Sequence, residues 1–252
     1  MITVKLLGGL GNQMFQLAFA KALEAYGRVT QLDRSSLVEG THREYSLWYF
    51  GDYFFGRPEG SFISETSLRF NEDMLQPPDP STLCGYWQSE KYFESVKNAV
   101  RQEFTPESPM RSQVEGLIDE IRHTNSVFVH VRRKDYVNLQ HFHGMPTLAY
   151  YEEGLRRIEY VYPNTNVFIF SDDPEWCSQN FNHRVVEGTT KYEDLRLMSA
   201  CRHGVLANSS FSWWAAWLGD TQEDRMVVAP ARWFADPTVD DMDIVPNRWI
   251  KI

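Results

Sequence analysis

Four short runs in the second half of the chain constrain its fold most: SVFVHV (126–131), NVFIFS (166–171), GVLAN (204–208) and RMVVAP (225–230). Each is bulky, nearly all apolar and too short for a helix. Runs of this kind form strands buried on both faces, as in parallel sheets. Helical spacing returns between them, in TLAYYEEGLRRIEYV (147–161) and YEDLRLMSACRH (192–203). The first half begins the same alternation. ITVKLL reads as a strand and GNQMFQLAFAKALEAYG as a helix, with Met14, Leu17, Ala18, Ala22 and Ala25 on its apolar positions and Gly27 as its cap; RVTQLD reads as the next strand. An α/β chain with parallel sheets follows. Residues 40–90, rich in aromatics, Gly and Pro, show no readable order, and QPPDPST (76–82) reads as a turn or loop. YFESVKNAVRQEF (92–104) suggests a helix and TPESPM (105–110) a hinge, which divides the chain into 1–110 and 111–252.

Composition removes several function classes. A net charge of −9 disfavours general binding to nucleic acid or to anionic membrane, so an anionic ligand needs a local positive cluster. Cys84, Cys177 and Cys201 are odd in number and form no CxxC pair, which suits reduced thiols in a cytoplasm. No signal peptide and no membrane-spanning run is apparent; association with a membrane surface stays open.

In parallel sheets, ligands bind outside the carboxyl ends of the strands. The polar residues after each strand are therefore the candidates. HVRRKDY supplies Arg132, whose guanidinium can fork onto a phosphate, and Arg133, which either joins it or forms part of a solvated charge cluster. His130 is either a core histidine or a strand-end base, and Asp135 either a base or a partner for Arg133. In FSDDPEW the pair Asp172–Asp173 lacks the spacing of a metal-binding DxD. With Pro174 it reads as a helix start, or Asp172 takes hydrogen bonds from a base or ribose. In NSSFSWWAAWL, Ser209 and Ser210 open a helix at a strand end, where hydroxyls and free amides make a phosphate cradle, while Trp213, Trp214 and Trp217 read as packing.

GGLGNQM, residues 8–14, places Gly9 and Gly11 where a dinucleotide fingerprint has them, and Asp33 ends the next strand as a ribose ligand would. An NAD-dependent oxidoreductase with a degenerate fingerprint is thus the rival reading. Against it stands Met14, too bulky for the third glycine position, and no GK[ST] follows to make a P-loop. Asn12 and Gln13 instead offer side-chain amides at the helix start.

In order, GGLGNQMFQLAFAKAL, GYWQSEKYF, HVRRKDY, FIFSDDPEW, EDLRLMSACRH and ANSSFSWWAAWLG resemble the blocks of glycosyltransferase family 11, the alpha-1,2-fucosyltransferases. Lys134 stands where that family usually has Gly. The resemblance implies a GT-B-like architecture of two Rossmann-like domains facing a central cleft. The donor would be GDP-L-fucose, bound mainly by the C-terminal domain. The acceptor would be a galactose-terminated oligosaccharide such as lactose or a lipid-linked glycan, with no nucleic acid partner. It further implies Arg132 on the diphosphate, Asp172 at the guanosine end, Ser209, Ser210 and Phe211 on the phosphates, and Asn12, with its neighbours Gly9, Gly11 and Gln13, near the β-phosphate or the fucose. Transfer would invert the anomeric centre without a metal or other cofactor. Asp135 is the first candidate for the base and His130 the second, because both share the strand end with Arg132. A cytoplasmic enzyme of glycan assembly is the expected setting.

Overall fold

The computed structural model describes residues 1–105, 111–134, 144–221 and 224–252, and it resolves into two compact units. The first comprises Met1–Pro106 with Val239–Pro246, the second Glu107–Thr238 with Asn247–Ile252. The division is therefore not contiguous. Segment 239–246 is tied into the first unit by Asp243, which accepts from the Phe70 amide at 2.9 Å and pairs with Lys91 at 2.5 Å.

In the first unit, β1 (Ile2–Lys5), β2 (Thr30–Asp33), β3 (Ser61–Ser64) and β4 (Ser81–Cys84) form a sheet in the order β2-β1-β4-β3, every pairing parallel. Helix α1 (Leu10–Ala25) returns the chain from β1 to β2. Met14, Leu17, Ala18 and Ala22 are buried as their spacing predicts, whereas Ala25 is exposed in the final turn. Gly27 follows at φ +78°, a conformation open to glycine that ends the helix. β3 and β4 lie in the aromatic middle that carried no readable strand. β3 is an edge strand with three of its four residues exposed, and β4 begins inside the QPPDPST run. Buried Ser81 and Thr82 give β4 too little apolar character to be read as a central strand. The predicted helix over 92–104 is shorter in the structure: 3₁₀ turns at Glu90–Tyr92 and Glu94–Val96 precede α2 (Lys97–Glu103).

The second unit holds β5 (Ser126–Val131), β6 (Asn166–Ser171), β7 (Arg184–Val185), β8 (His203–Val205), β9 (Val227–Ala229) and β10 (Ile250–Lys251). Their order is β10-β9-β8-β5-β6-β7, again all parallel. The helices are α3 (Ser112–His123), α4 (Leu148–Val161), α5 (Pro174–Asn180), α6 (Lys191–Ala200) and α7 (Ser210–Gly219). Alternation along the strands sends Val127, Val129, Val131, Ile169, Val205 and Val228 to one face, where they pack with Tyr151 and Ile158 of α4. α7 packs on α6 and α6 on α3, and Trp213, Trp214 and Trp217 are fully buried as predicted.

Gly204 faces Phe128 across the β5–β8 pair, and a Cβ at Gly204 would lie 2.2 Å from the Phe128 ring. Only glycine admits that ring so close to the strand. Gly204→Ala should therefore overpack the centre of the sheet and lower stability by about 1–3 kcal/mol, read from the urea unfolding midpoint.

Candidate functional site

Strand order places one topological switch point in each unit. In the second, the chain winds from β5 through β6 to β7 and then crosses back to place β8 on the other side of β5, so the direction reverses between β5 and β8. In the first it reverses between β1 and β4. Loops leaving the two strands at such a point diverge and leave room for a ligand beyond their carboxyl ends.

At the β5 exit, Asp172 organises the loop. Its carboxylate accepts the Arg133 amide at 2.9 Å and the Lys134 amide at 3.3 Å, and it pairs with the Arg132 guanidinium at 3.2 Å. Both oxygens of Asp172 are thus turned toward the β5 loop, a task the sequence did not suggest. Arg132 is held from one side while staying partly open to solvent. Arg133 takes the structural course: its guanidinium lies 3.9 Å from the Trp176 ring centroid and its Nε donates to Asp173 at 3.2 Å. Asp173 caps α5 by accepting from the Trp176 amide, with Pro174 in the first turn, so the helix-start reading applies to Asp173 and Pro174.

His130 is only 5% exposed, its ring lies 5.6 Å from that of Phe211, and its Nδ1 has no hydrogen-bond partner among the described residues. Burial, helped by the nearby charge of Arg132, pushes its pKa down to about 3. A neutral core histidine fits this position, and so weak a base is poorly matched to taking a proton near neutrality. Asp135, the first candidate for that role, lies outside the described residues.

Across the crevice from β5, the chain leaves β8 and enters α7. Ser209 is its N-cap, its hydroxyl accepting from the Phe211 amide at 3.3 Å, while Ser210 and Phe211 are partly exposed. The first-turn amides and the positive end of the helix dipole therefore lie beside the β5 exit that carries Arg132. On the same rim, α6 begins with a capping box between Thr190 and Glu193. Its next residue, Asp194, accepts from the Thr189 hydroxyl and is raised to about 6 by burial. Asp194 was not singled out in the sequence, where it is one acidic residue among many in a helical run.

In the first unit, Gly9 precedes α1, its carbonyl accepting the Asn12 and Gln13 amides, and Gly11 is buried in the first turn. The expectation that Gln13 reaches a ligand is not met. Gln13 is fully buried: its Nε2 donates to the carbonyls of Gly8 and Glu44, and its Oε1 accepts the Ser46 amide. Its type suits ligand binding, but the fold spends the whole amide on its own backbone. Asn12 is half-buried and accepts from Gln88 Nε2 at 2.8 Å. Asp33 is buried, accepting from the amide and hydroxyl of Ser35, and so is committed to its own turn rather than to a ribose. Among the described residues, no group of three or more His, Cys, Asp or Glu converges to hold a metal, and no helix is long and apolar enough to cross a membrane.

With this geometry in view, comparison with known sequences identifies the family. The profile of glycosyl transferase family 11 matches residues 72–252. The chain belongs to glycosyltransferase family 11. An alpha-1,2-colitosyltransferase of Escherichia coli is 33% identical, the alignment covering 86% of this chain and 87% of that protein. The O-antigen biosynthesis glycosyltransferase WbnK of E. coli is 28% identical over 90% of this chain and 93% of its own length. Human galactoside alpha-(1,2)-fucosyltransferase 1 is 26% identical over 55% of this chain and 44% of its own. The matched span takes in both the β5 and β8 exits and begins after the glycine-rich loop.

Two outcomes follow from the β5 exit. Removing Asp172 leaves the Arg133 and Lys134 amides without their acceptor, so Asp172→Ala should cost about 1–3 kcal/mol of stability, read from the urea unfolding midpoint. His130 has a folded pKa near 3 against an ordinary 6.5, so the unfolded chain takes this proton first. Its contribution is complete above pH 6.5 and is lost as pH falls, at about 1.4 kcal/mol per pH unit. Urea midpoints between pH 7 and 5 should fall more steeply for the wild type than for His130→Gln.

Proposed function

We propose that the protein transfers L-fucose from GDP-L-fucose to the 2-hydroxyl of a galactoside, with inversion and without a metal, in the assembly of a surface glycan of O-antigen type. The observation that carries this reading is that Arg132 and the α7 N-terminus follow adjacent parallel strands, β5 and β8, at the switch point of a family 11 chain. An acidic protein needs such a focus to hold a diphosphate, and here a guanidinium and a capped helix start supply it together.

The chemistry follows from where charge develops. As the bond from the sugar to the β-phosphate stretches, the sugar becomes oxocarbenium-like and negative charge gathers on GDP. Arg132 and the α7 amides are fixed before the reaction, so they stabilise that charge without reorganising. Asp172 keeps the guanidinium oriented and holds the loop that bears it. Ser209 and Ser210 add hydroxyl donors at the phosphates, beside Phe211. The acceptor hydroxyl loses its proton to a base, for which Asp135 is the assignment once His130 is given its core role. Asn12, beside Gly9 and Gly11, meets the sugar end of the donor.

Colitose is a second donor sugar with a specific argument, because the colitosyltransferase aligns over most of this chain. It lacks the 3-hydroxyl of fucose, so the two donors differ by a single group. The deciding experiment incubates the protein with GDP-fucose or GDP-colitose and a panel of galactosides, with and without EDTA, and locates the new linkage by NMR. An α-1,2-fucosyl product formed equally well in EDTA is expected. A preference for GDP-colitose would reassign the donor, and loss of activity restored by magnesium or manganese would overturn the metal-free reading. In the same assay Arg132→Lys should fail nearly as badly as Arg132→Ala, by about 2–4 kcal/mol in kcat/KM, because an ammonium cannot make two parallel hydrogen bonds. Near-wild-type turnover of the lysine variant would remove Arg132 from the diphosphate.

A further inference from the structure

We propose that Gln88 is a positioning residue that sets the polarity of Asn12, so that the Asn12 amide presents its N–H₂ donors, and not its carbonyl, to the donor substrate. The inference rests on the reading above in which Asn12 meets that substrate.

Asn12 lies in the first turn of α1, at the exit of β1; Gln88 follows β4, the strand on the other side of the first unit's switch point. Gln88 is 7% exposed and its Nε2 donates to Asn12 Oδ1 at 2.8 Å. With Oδ1 turned to Gln88, Nδ2 points the other way, across Gly8. A Cβ on Gly8 would stand 2.4 Å from Nδ2, and Gly8 itself has φ +73°. Glycine therefore serves two ends there, the backbone turn and the space for the amide.

The loop that carries Gln88 is held with unusual firmness. Trp87, its neighbour, adopts φ +47°, a region that a bulky residue rarely enters and that tends to be kept where function needs it. The indole is fully buried and stacks on Phe19 at 4.3 Å, with the planes 9° apart. Glu65, just beyond β3, accepts the Tyr86 amide at 2.7 Å and the Trp87 amide at 3.2 Å. Burial raises the pKa of Glu65 and these two amides partly offset the rise. On the other side of Gln88, the Ser89 amide donates to the Trp87 carbonyl at 2.8 Å. Gln88 thus has its backbone fixed from both flanks, and its side chain is spent on one atom of Asn12.

The chemistry explains why that atom matters. An asparagine amide can turn over and exchange its acceptor for its donors. Phosphate oxygens and sugar oxygens near the reacting bond gain negative charge, so a donor facing them attracts and a carbonyl repels. Engaging Oδ1 elsewhere removes the unfavourable orientation.

The test compares Gln88→Glu, Gln88→Ala and Asn12→Ala, with the Asn12→Ala/Gln88→Glu double variant, by donor and acceptor kinetics and by melting temperature. Glutamate matches glutamine in shape but only accepts, so it captures the Asn12 N–H₂ group and turns Oδ1 outward. Gln88→Glu should lose more than ten-fold in kcat/KM for the donor, more than Gln88→Ala, with its melting temperature little changed. Its effect should vanish in the Asn12→Ala background. If Asn12→Ala is impaired while Gln88→Glu is not, or if Gln88→Glu costs the same in both backgrounds, the positioning role is overturned and the reading of Asn12 survives. Wild-type kinetics for Asn12→Ala would overturn that reading and the inference with it.

Discussion

Parallel pairing is the constraint from which the rest of the structure follows. A strand paired in parallel cannot reach its neighbour through a tight turn; the chain must return along a face of the sheet before it can pair again. Within each unit every strand therefore ends on the same rim, and side chains far apart in sequence share it. In the second unit this rule brings Arg132, Asp172 and Ser209 to one edge from three separate strand exits. In the first unit it brings Asn12 and Gln88 together across 76 positions. The chemistry of each rim is a consequence of topology before it is a matter of residue type.

What the sequence discloses is unequal for a physical reason. β5 and β6 are buried on both faces, so SVFVHV and NVFIFS announce themselves with the bounds they have in the structure. The N-cap role of Asp173, the first-turn Pro174 and the packed tryptophans of α7 are likewise local, and local chemistry suffices to read them. β3 and β4 were illegible because one is an exposed edge and the other fills its central position with Ser81, Thr82 and Leu83. No periodicity marks a strand whose buried residues are polar.

Candidate site residues divide along the same line. Arg132, Ser209 and Asn12 lie where a strand exit or a helix start puts them, and their positions followed from the pattern. Gln13 and Asp172 have types that suit ligand binding, yet the fold uses Gln13 to join the Gly8 turn to residues 44–46, and Asp172 to hold the β5 loop. Glu65 left no signal, and Gln88 entered only as one letter of the GYWQSEKYF block with no role of its own, since their partners are distant in sequence and the turn they support depends on a tryptophan at positive φ. Backbone amides and carbonyls left over at irregular loops must find partners somewhere. Polar side chains near a site are recruited for that task as readily as for a ligand, and the residue type alone does not tell the two apart.

The fate of His130 shows how burial sorts the remaining roles. The strand end that fixes Arg132 also removes its neighbours from water. A guanidinium tolerates this because it stays charged throughout the accessible pH range and finds a carboxylate in Asp172. An imidazole does not: deprived of water and set near Arg132, His130 loses its affinity for a proton. The electrostatic surroundings that would favour the departing diphosphate of the proposed transfer thus weaken a histidine base beside it. In the proposed transfer, removal of the acceptor's proton therefore falls to a carboxylate and not to His130.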